Sequence, residues 1–252
     1  MSGGAEHGPD LGDPARLPAV PSGAGTLRWG FGDVAVALLG AIVVGNALAV
    51  VLLAMKGHAS AAAQAWMAVL VLVGPWCLLG GWPLYAARRK GSGPVRDFGL
   101  GLDLPSAALG VLGGLAGLLC AAAVAWVQLQ ITHQPLDARA SAVARDIVAA
   151  SRPALVAFAL ATAFGAPIVE ELAFRGLTFG AFRKVGQPVV WATVWTTVLF
   201  AVFHFEPARL PVLLVLGGWL GVVRAYTGST TASIVAHMTV NIPGAVLILG
   251  MH

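Results

Sequence analysis

PALVAFALATAFGAPIVEELAFRG, residues 153–176, runs apolar until Glu170 and Glu171 arrive side by side, with Arg175 four positions after the second. About 20 apolar residues in a row match the thickness of a hydrocarbon core crossed by a helix. The run therefore reads as a transmembrane helix that carries two carboxylates where carboxylates are costly. A charge at mid-bilayer costs about 2.5–3.5 kcal/mol on insertion scales, so these groups must face a wet cavity, take a proton or pair.

The rest of the chain is of the same kind. Of 252 residues, 58% are hydrophobic and 10% charged, with a mean hydropathy of +0.84; soluble domains average about 25% charged. Apolar runs near 34–55, 65–87, 105–128 and 153–174 are followed by shorter ones near 188–204, 210–224 and 229–250. The expected fold is an all-α, polytopic bundle of about seven spans. The run at 210–224 contains Gly217, Gly218 and Gly221, which predicts a span that is tilted, broken or packed tightly through small residues.

Residues 1–28 are rich in Gly, Pro and Ala and have no apolar core of a cleavable signal, so they read as a disordered tail. Residues 29–130 then form an N-terminal set of transmembrane helices and 131–252 a second helix bundle, the one that holds Glu170 and Glu171. Cys77 and Cys120 lie in apolar runs without metal-ligand spacing. No Gly-rich loop follows a strand pattern, so nucleotide binding has no support. The pI of 9.6 fits basic loops at a membrane surface, with membrane lipid as neighbour and no nucleic-acid partner. Nothing sets an oligomeric state.

Orientation follows from the 15 Lys and Arg residues. With the N-terminus cytoplasmic, Arg16, Arg28, Arg88, Arg89, Lys90, Arg96, Arg175, Arg183, Lys184 and Arg224 fall on one side, and Lys56, Arg139, Arg145, Arg152 and Arg209 on the other. The excess favours a cytoplasmic N-terminus.

Glu171 and Arg175 are spaced i,i+4 with the acid first, the better orientation for a helical ion pair. This pairing leaves Glu170 free. Downstream, FAVFH at 200–204 sets His204 four residues after Phe200, and HMTVN at 237–241 sets His237 and Asn241 on one helix face. A single intramembrane His or Asn often serves as interhelical glue, as Asn46 is expected to do. Several costly groups on three spans are better explained together, as one site.

The three patterns E-E-x-x-x-R (170–175), F-x-x-x-H (200–204) and H-x-x-x-N (237–241), in this order on apolar segments, resemble the CAAX prenyl protease and bacteriocin-processing family, also called CPBP or Abi. The resemblance covers roughly residues 150–245. It implies an intramembrane endopeptidase that cleaves a membrane-associated or prenylated, CAAX-like substrate in a multi-pass bacterial inner (plasma) membrane. By the same resemblance Glu170 activates a water, while His204, His237 and Asn241 position it and stabilise the oxyanion. Glu171, Arg175 and Phe200 would support the site.

The chemistry of the residues agrees with those roles. A buried carboxylate near an imidazole can serve as general base, and His237 or Asn241 can donate to a developing oxyanion. No metal is required, so no cofactor is expected. If zinc were present, Glu170, His204 and His237 would be its ligands. Counting from the turn near 184–188, Glu170 lies about 21 Å and His204 about 24 Å along their helices, at similar depth. Two other classes remain to be weighed. A proton-coupled transporter would place costly groups in both halves of the chain, and here they fall in the C-terminal part. A non-catalytic immunity or scaffold protein would bind its partner equally well without Glu170.

Overall fold

The computed structural model describes residues 28–101, 103–134, 136 and 139–250, with the side chains of 139–141 excepted. The tail expected over 1–28 lies outside the described residues except for Arg28, whose backbone N–H donates to the Lys90 carbonyl at 2.7 Å. The described residues are helical and contain no strand.

Helix α1 (Phe31–Met55) and α2 (Ala61–Lys90) form the first hairpin. The short α3 (Pro94–Phe98) leads into α4 (Leu104–Thr132). Asp103 caps α4, and the Ser106 N–H donated to its Oδ1 at 2.8 Å holds that carboxyl below the usual carboxylate range. The amphipathic α5 (Arg139–Val148) precedes α6 (Arg152–Lys184). The last three are α7 (Val189–Phe203), α8 (Leu210–Thr227) and α9 (Thr230–Leu249). Among the described residues six stretches are long and apolar enough to cross a membrane, and α7 is a shorter apolar helix. The chain is thus a multi-pass helical membrane protein.

Of the three expectations for 210–224, a tilted, broken or tightly packed span, the break is not found: the run lies within an uninterrupted helix. Its glycines serve close packing instead: a Cβ on Gly221 would stand 2.7 Å from Thr193 Cγ2, and one on Gly217 would stand 3.0 Å from Phe200 Cδ1. The irregular helices are others. Helix α2 is interrupted near Gly74 and Pro75, where proline removes a backbone donor, and carries a π-helical turn over Cys77–Gly81. Helix α6 carries two, Ala161–Gly165 and Leu172–Thr178, on either side of a short α-helical stretch that ends with the two glutamates. Asn46 also departs from expectation: it is exposed and donates to its own helix at Ile42 O, 2.8 Å.

Helix α6 is the most enclosed span, 44% buried against 17% for α1 and α2. It crosses α2 where Gly80 leaves room for Val169 and Gly165 for the Trp76 ring. That crossing seats the residue immediately before Glu170. One apolar core joins Leu38, Leu79, Phe98, Phe174, Phe200 and Leu220, drawn from α1, α2, α3, α6, α7 and α8. A second gathers Val69, Ile147, Phe158 and Ile248 towards the opposite end.

At the end near residue 29 a polar knot ties α1 to the rest. Buried Asp33 accepts from Lys90 Nζ at 2.6 Å, Trp82 Nε1 at 3.1 Å and the Gly30 N–H at 3.2 Å. Trp29 Nε1 donates to Asp97 at 2.9 Å, and Lys184 Nζ donates to the Trp29 carbonyl.

Candidate active site

Adjacent residues on a helix point about 100° apart, so Glu170 and Glu171 cannot share an environment. Glu171 turns fully inward with Arg175: both side chains are 0% exposed, and Arg175 Nη1 lies 3.0 Å from Glu171 Oε1. The second guanidinium nitrogen, Nη2, donates to the Gly217 carbonyl at 2.8 Å. The guanidinium also lies over the Phe200 ring, 4.6 Å from its centroid. The expected ion pair is therefore present, fastened to α8 and α7 as well as to α6.

Glu170 turns towards the two histidines. Its Oε2 is buried and accepts no hydrogen bond among the described residues. His204 Nε2 and His237 Nε2 each lie 4.0 Å from that oxygen. Three helix segments therefore bring one unpartnered carboxylate oxygen and two imidazole nitrogens together.

The far sides of both imidazoles fix which nitrogen carries a proton. His204, the C-cap that follows α7, has Nδ1 2.7 Å from Phe200 O. A carbonyl can only accept, so Nδ1 is the donor. His237 Nδ1 lies 3.0 Å from Glu171 Oε1, and again the carboxylate is the acceptor. In their neutral forms both rings therefore present an Nε2 lone pair towards Glu170. Phe200 is the shared wall, with its centroid 4.6 Å from that of His204 and 5.7 Å from that of His237. Phe174 packs edge-on against it at 5.5 Å.

Asn241 lies one turn beyond His237 on α9, and among the described residues no hydrogen bond joins it to Glu170 or either histidine. Its Nδ2 donates to the Thr162 carbonyl at 2.9 Å, in the first π-helical turn of α6, roughly two turns before Glu170. An amide nitrogen has two hydrogens, and this bond uses one.

Sequence reasoning missed two members. One is the contact between Glu171 and His237, which are 66 residues apart with no local signal linking them. The other is Arg224, whose Nε donates to Arg175 O at 3.1 Å in the second π-helical turn, with its guanidinium over Phe179. A lone Arg near the end of an apolar run reads as an interface residue.

For a metal, the donor types and their spacing disagree. Imidazoles with Nδ1–H bonded to a carbonyl and a carboxylate are the usual orientation of zinc-binding histidines. Yet zinc ligands at about 2.0–2.1 Å in a tetrahedron stand about 3.3–3.4 Å apart. The Glu170 oxygen is 4.0 Å from each nitrogen, and among the described residues no three His, Cys, Asp or Glu side chains are gathered as a metal-holding group. The spacing does not fit a zinc tetrahedron, and no step below passes through a metal.

Residues 152–243 match the family model described as Rce1-like, type II CAAX prenyl endopeptidase Rce1-like. The matched segment contains Glu170, Glu171, Arg175, Phe200, His204, His237 and Asn241, and it supports the CAAX protease family resemblance and an intramembrane endopeptidase in general. No curated protein and no solved structure matches the chain.

Proposed function

We propose, for a chain whose residues 152–243 match the Rce1-like CAAX endopeptidase family model, that this membrane protein hydrolyses a peptide bond by a water that Glu170 activates. The observation that carries the reading is the buried, unpartnered Glu170 Oε2 with two Nε2 atoms at 4.0 Å. A gap of that width between polar atoms is one that a single water molecule bridges.

Glu170 takes one proton from that water while the oxygen forms a bond to the scissile carbonyl carbon, and the carbonyl π pair moves onto its oxygen. The second water hydrogen stays on the attacking oxygen and is donated as a hydrogen bond to His204 Nε2. His237, held through Nδ1 by Glu171, carries a second proton on Nε2 in its charged form and donates it as a hydrogen bond to the oxyanion. The free N–H of Asn241 is the further donor. Collapse breaks the C–N bond, and the proton held by Glu170 goes to the leaving nitrogen, which restores the carboxylate. Glu171, Arg175 and Phe200 hold the histidines and take no proton.

Access fits this chemistry. Helix α7 has 15 residues, about 22 Å of helix against a hydrocarbon core of about 30 Å. The turn after His204, with Arg209 Nη1 2.6 Å from Glu206 Oε2, therefore sets polar side chains within the membrane's thickness, on the side from which this reading brings water to the site. The substrate class is a membrane-associated peptide, prenylated near its C-terminus as the family's description suggests. The enzyme sits in a bacterial plasma membrane with its N-terminus in the cytoplasm.

The test is cleavage by purified protein in lipid nanodiscs of farnesylated and unmodified CAAX-type peptides, paired with the membrane proteome of cells carrying wild type or Glu170→Ala. A precursor that accumulates only in Glu170→Ala supports the reading. Equal processing in both strains rules it out.

A further inference from the structure

Helix α4 lies outside the matched segment, yet it reaches the turn that carries His204. Gln128 Nε2 donates to the Ala208 carbonyl at 2.6 Å. Because Ala208 O can only accept, the amide orientation is settled, and Oε1 is left buried without a hydrogen-bond partner among the described residues. A buried acceptor left unpaired is destabilising, so an apolar residue would suit local stability better. The amide is explained by what it holds.

What it holds is the strained end of α7. His204 is the last residue with helical backbone angles, and the next, Phe205, has φ 52. Bulky residues rarely enter that left-handed region, and they remain there only when surrounding structure holds them. The turn closes on itself through Arg209 N to Glu206 O at 2.9 Å and the Glu206–Arg209 ion pair. Gln128 ties the closed turn to a separate helix, and Thr132 Oγ1 donates to the Gln128 carbonyl at 2.9 Å, one turn further along α4.

We infer that Gln128 is a positioning residue for His204: through Ala208 it fixes the turn 204–209, and so the direction in which the His204 Nε2 faces Glu170. This rests on the hydrolytic reading above only for its effect on turnover. A misplacement of about 1 Å at a reacting group costs about 100-fold in rate, which is the scale on which one anchoring bond matters.

The test uses the full chain in nanodiscs with isotope-labelled histidine, the His204 and His237 imidazole signals being assigned by their loss in His204→Gln and His237→Gln. Gln128→Leu removes the donor, and Gln128→Lys keeps one. The expected result is a His204 signal displaced and broadened in Gln128→Leu and recovered in Gln128→Lys, with His237 unmoved and thermal unfolding unchanged. On a cleaved peptide, kcat for Gln128→Leu falls by about 10–100-fold while KM stays within about two-fold. A His204 signal in Gln128→Leu identical to wild type overturns the inference. So does displacement of both histidine signals together with a lower unfolding temperature, which marks a general loss of packing. A wild type that cleaves no peptide counts against the hydrolytic reading alone, and the histidine signals then decide on Gln128.

Discussion

Glu171 and His237, on helices α6 and α9, meet at 3.0 Å through Oε1 and Nδ1 inside the protein. The same carboxylate oxygen receives Arg175 at 3.0 Å. One acid therefore neutralises a buried cation and orients an imidazole, while its neighbour is left to face His204 and His237. The pair of glutamates is a division of labour imposed by the helix, because consecutive side chains diverge.

Glu170→Gln is expected to abolish turnover, by at least about 100-fold, with folding unchanged, since general-base catalysis contributes about 10²–10⁴. Glu171→Gln leaves Arg175 uncompensated in the interior and is expected to cost about 3–5 kcal/mol of stability while keeping measurable activity. Thermal unfolding and initial rates on the two purified variants check this. Reversed phenotypes would mean that the base has been assigned to the wrong neighbour.

Gly217→Ala and Gly218→Ala form a matched pair on α8. A Cβ at Gly217 would stand 3.0 Å from Phe200 Cδ1 and 3.5 Å from Arg175 Nη2, whereas one at Gly218 meets nothing within 4 Å. Overpacking is expected to cost Gly217→Ala about 1–3 kcal/mol and to lower activity by displacing the wall shared by the histidines. Gly218→Ala is expected to be neutral or stabilising by up to about 1 kcal/mol from helix propensity. Equal unfolding midpoints for the two variants would contradict the packing described for Arg175.

Asn241→Ala removes both the bond to Thr162 and the donor assigned to the oxyanion. A lost oxyanion donor is worth about 10²–10³ in kcat with little change in KM. Steady-state kinetics separate the two parameters, and a change confined to KM would move Asn241 from oxyanion stabilisation to substrate binding.

Chelation tests the absence of a metal step. Activity is expected to survive exhaustive treatment with a zinc chelator and still to vanish in Glu170→Ala. Loss on chelation with recovery on stoichiometric zinc would promote Glu170, His204 and His237 to ligands, and X-ray absorption on the purified protein would then show the metal directly.

Much of this architecture is legible in the residues because hydropathy reports burial in lipid directly: the apolar runs near 34–55, 105–128 and 229–250 overlap α1, α4 and α9. The i,i+4 spacing of Glu171 and Arg175 likewise announces their contact, since the helix alone brings them together. Contacts between helices are of another kind. Nothing local connects Gln128 with Ala208, Asn241 with Thr162 or His237 with Glu171, and such pairs arise only when spans are laid side by side. The π-helical turns were equally hidden, because a hydrogen bond to the fifth residue in place of the fourth leaves hydropathy unchanged. The glycines of 210–224 carry a real signal that admits three meanings, a tilt, a break or a close approach, and the Cβ-free contact with Phe200 and Arg175 favours the last.

The two π-helical turns of α6, Ala161–Gly165 and Leu172–Thr178, enclose the glutamate pair. A turn closed at the fifth residue holds one residue more than an α-turn, so each acts as a phase shift of about 100° along the rod. Helix α6 is therefore three segments with independent rotational settings: its start faces α5 and α9, its end faces α1 and α7, and the middle is free to aim Glu170 at the histidines. Deleting one residue from either turn would restore a straight helix and put the rod's ends out of phase with the pair between them. On the proposed reading, the sequence length between Arg152 and Lys184 is then itself a functional parameter, since it sets the angle at which Glu170 meets the histidines.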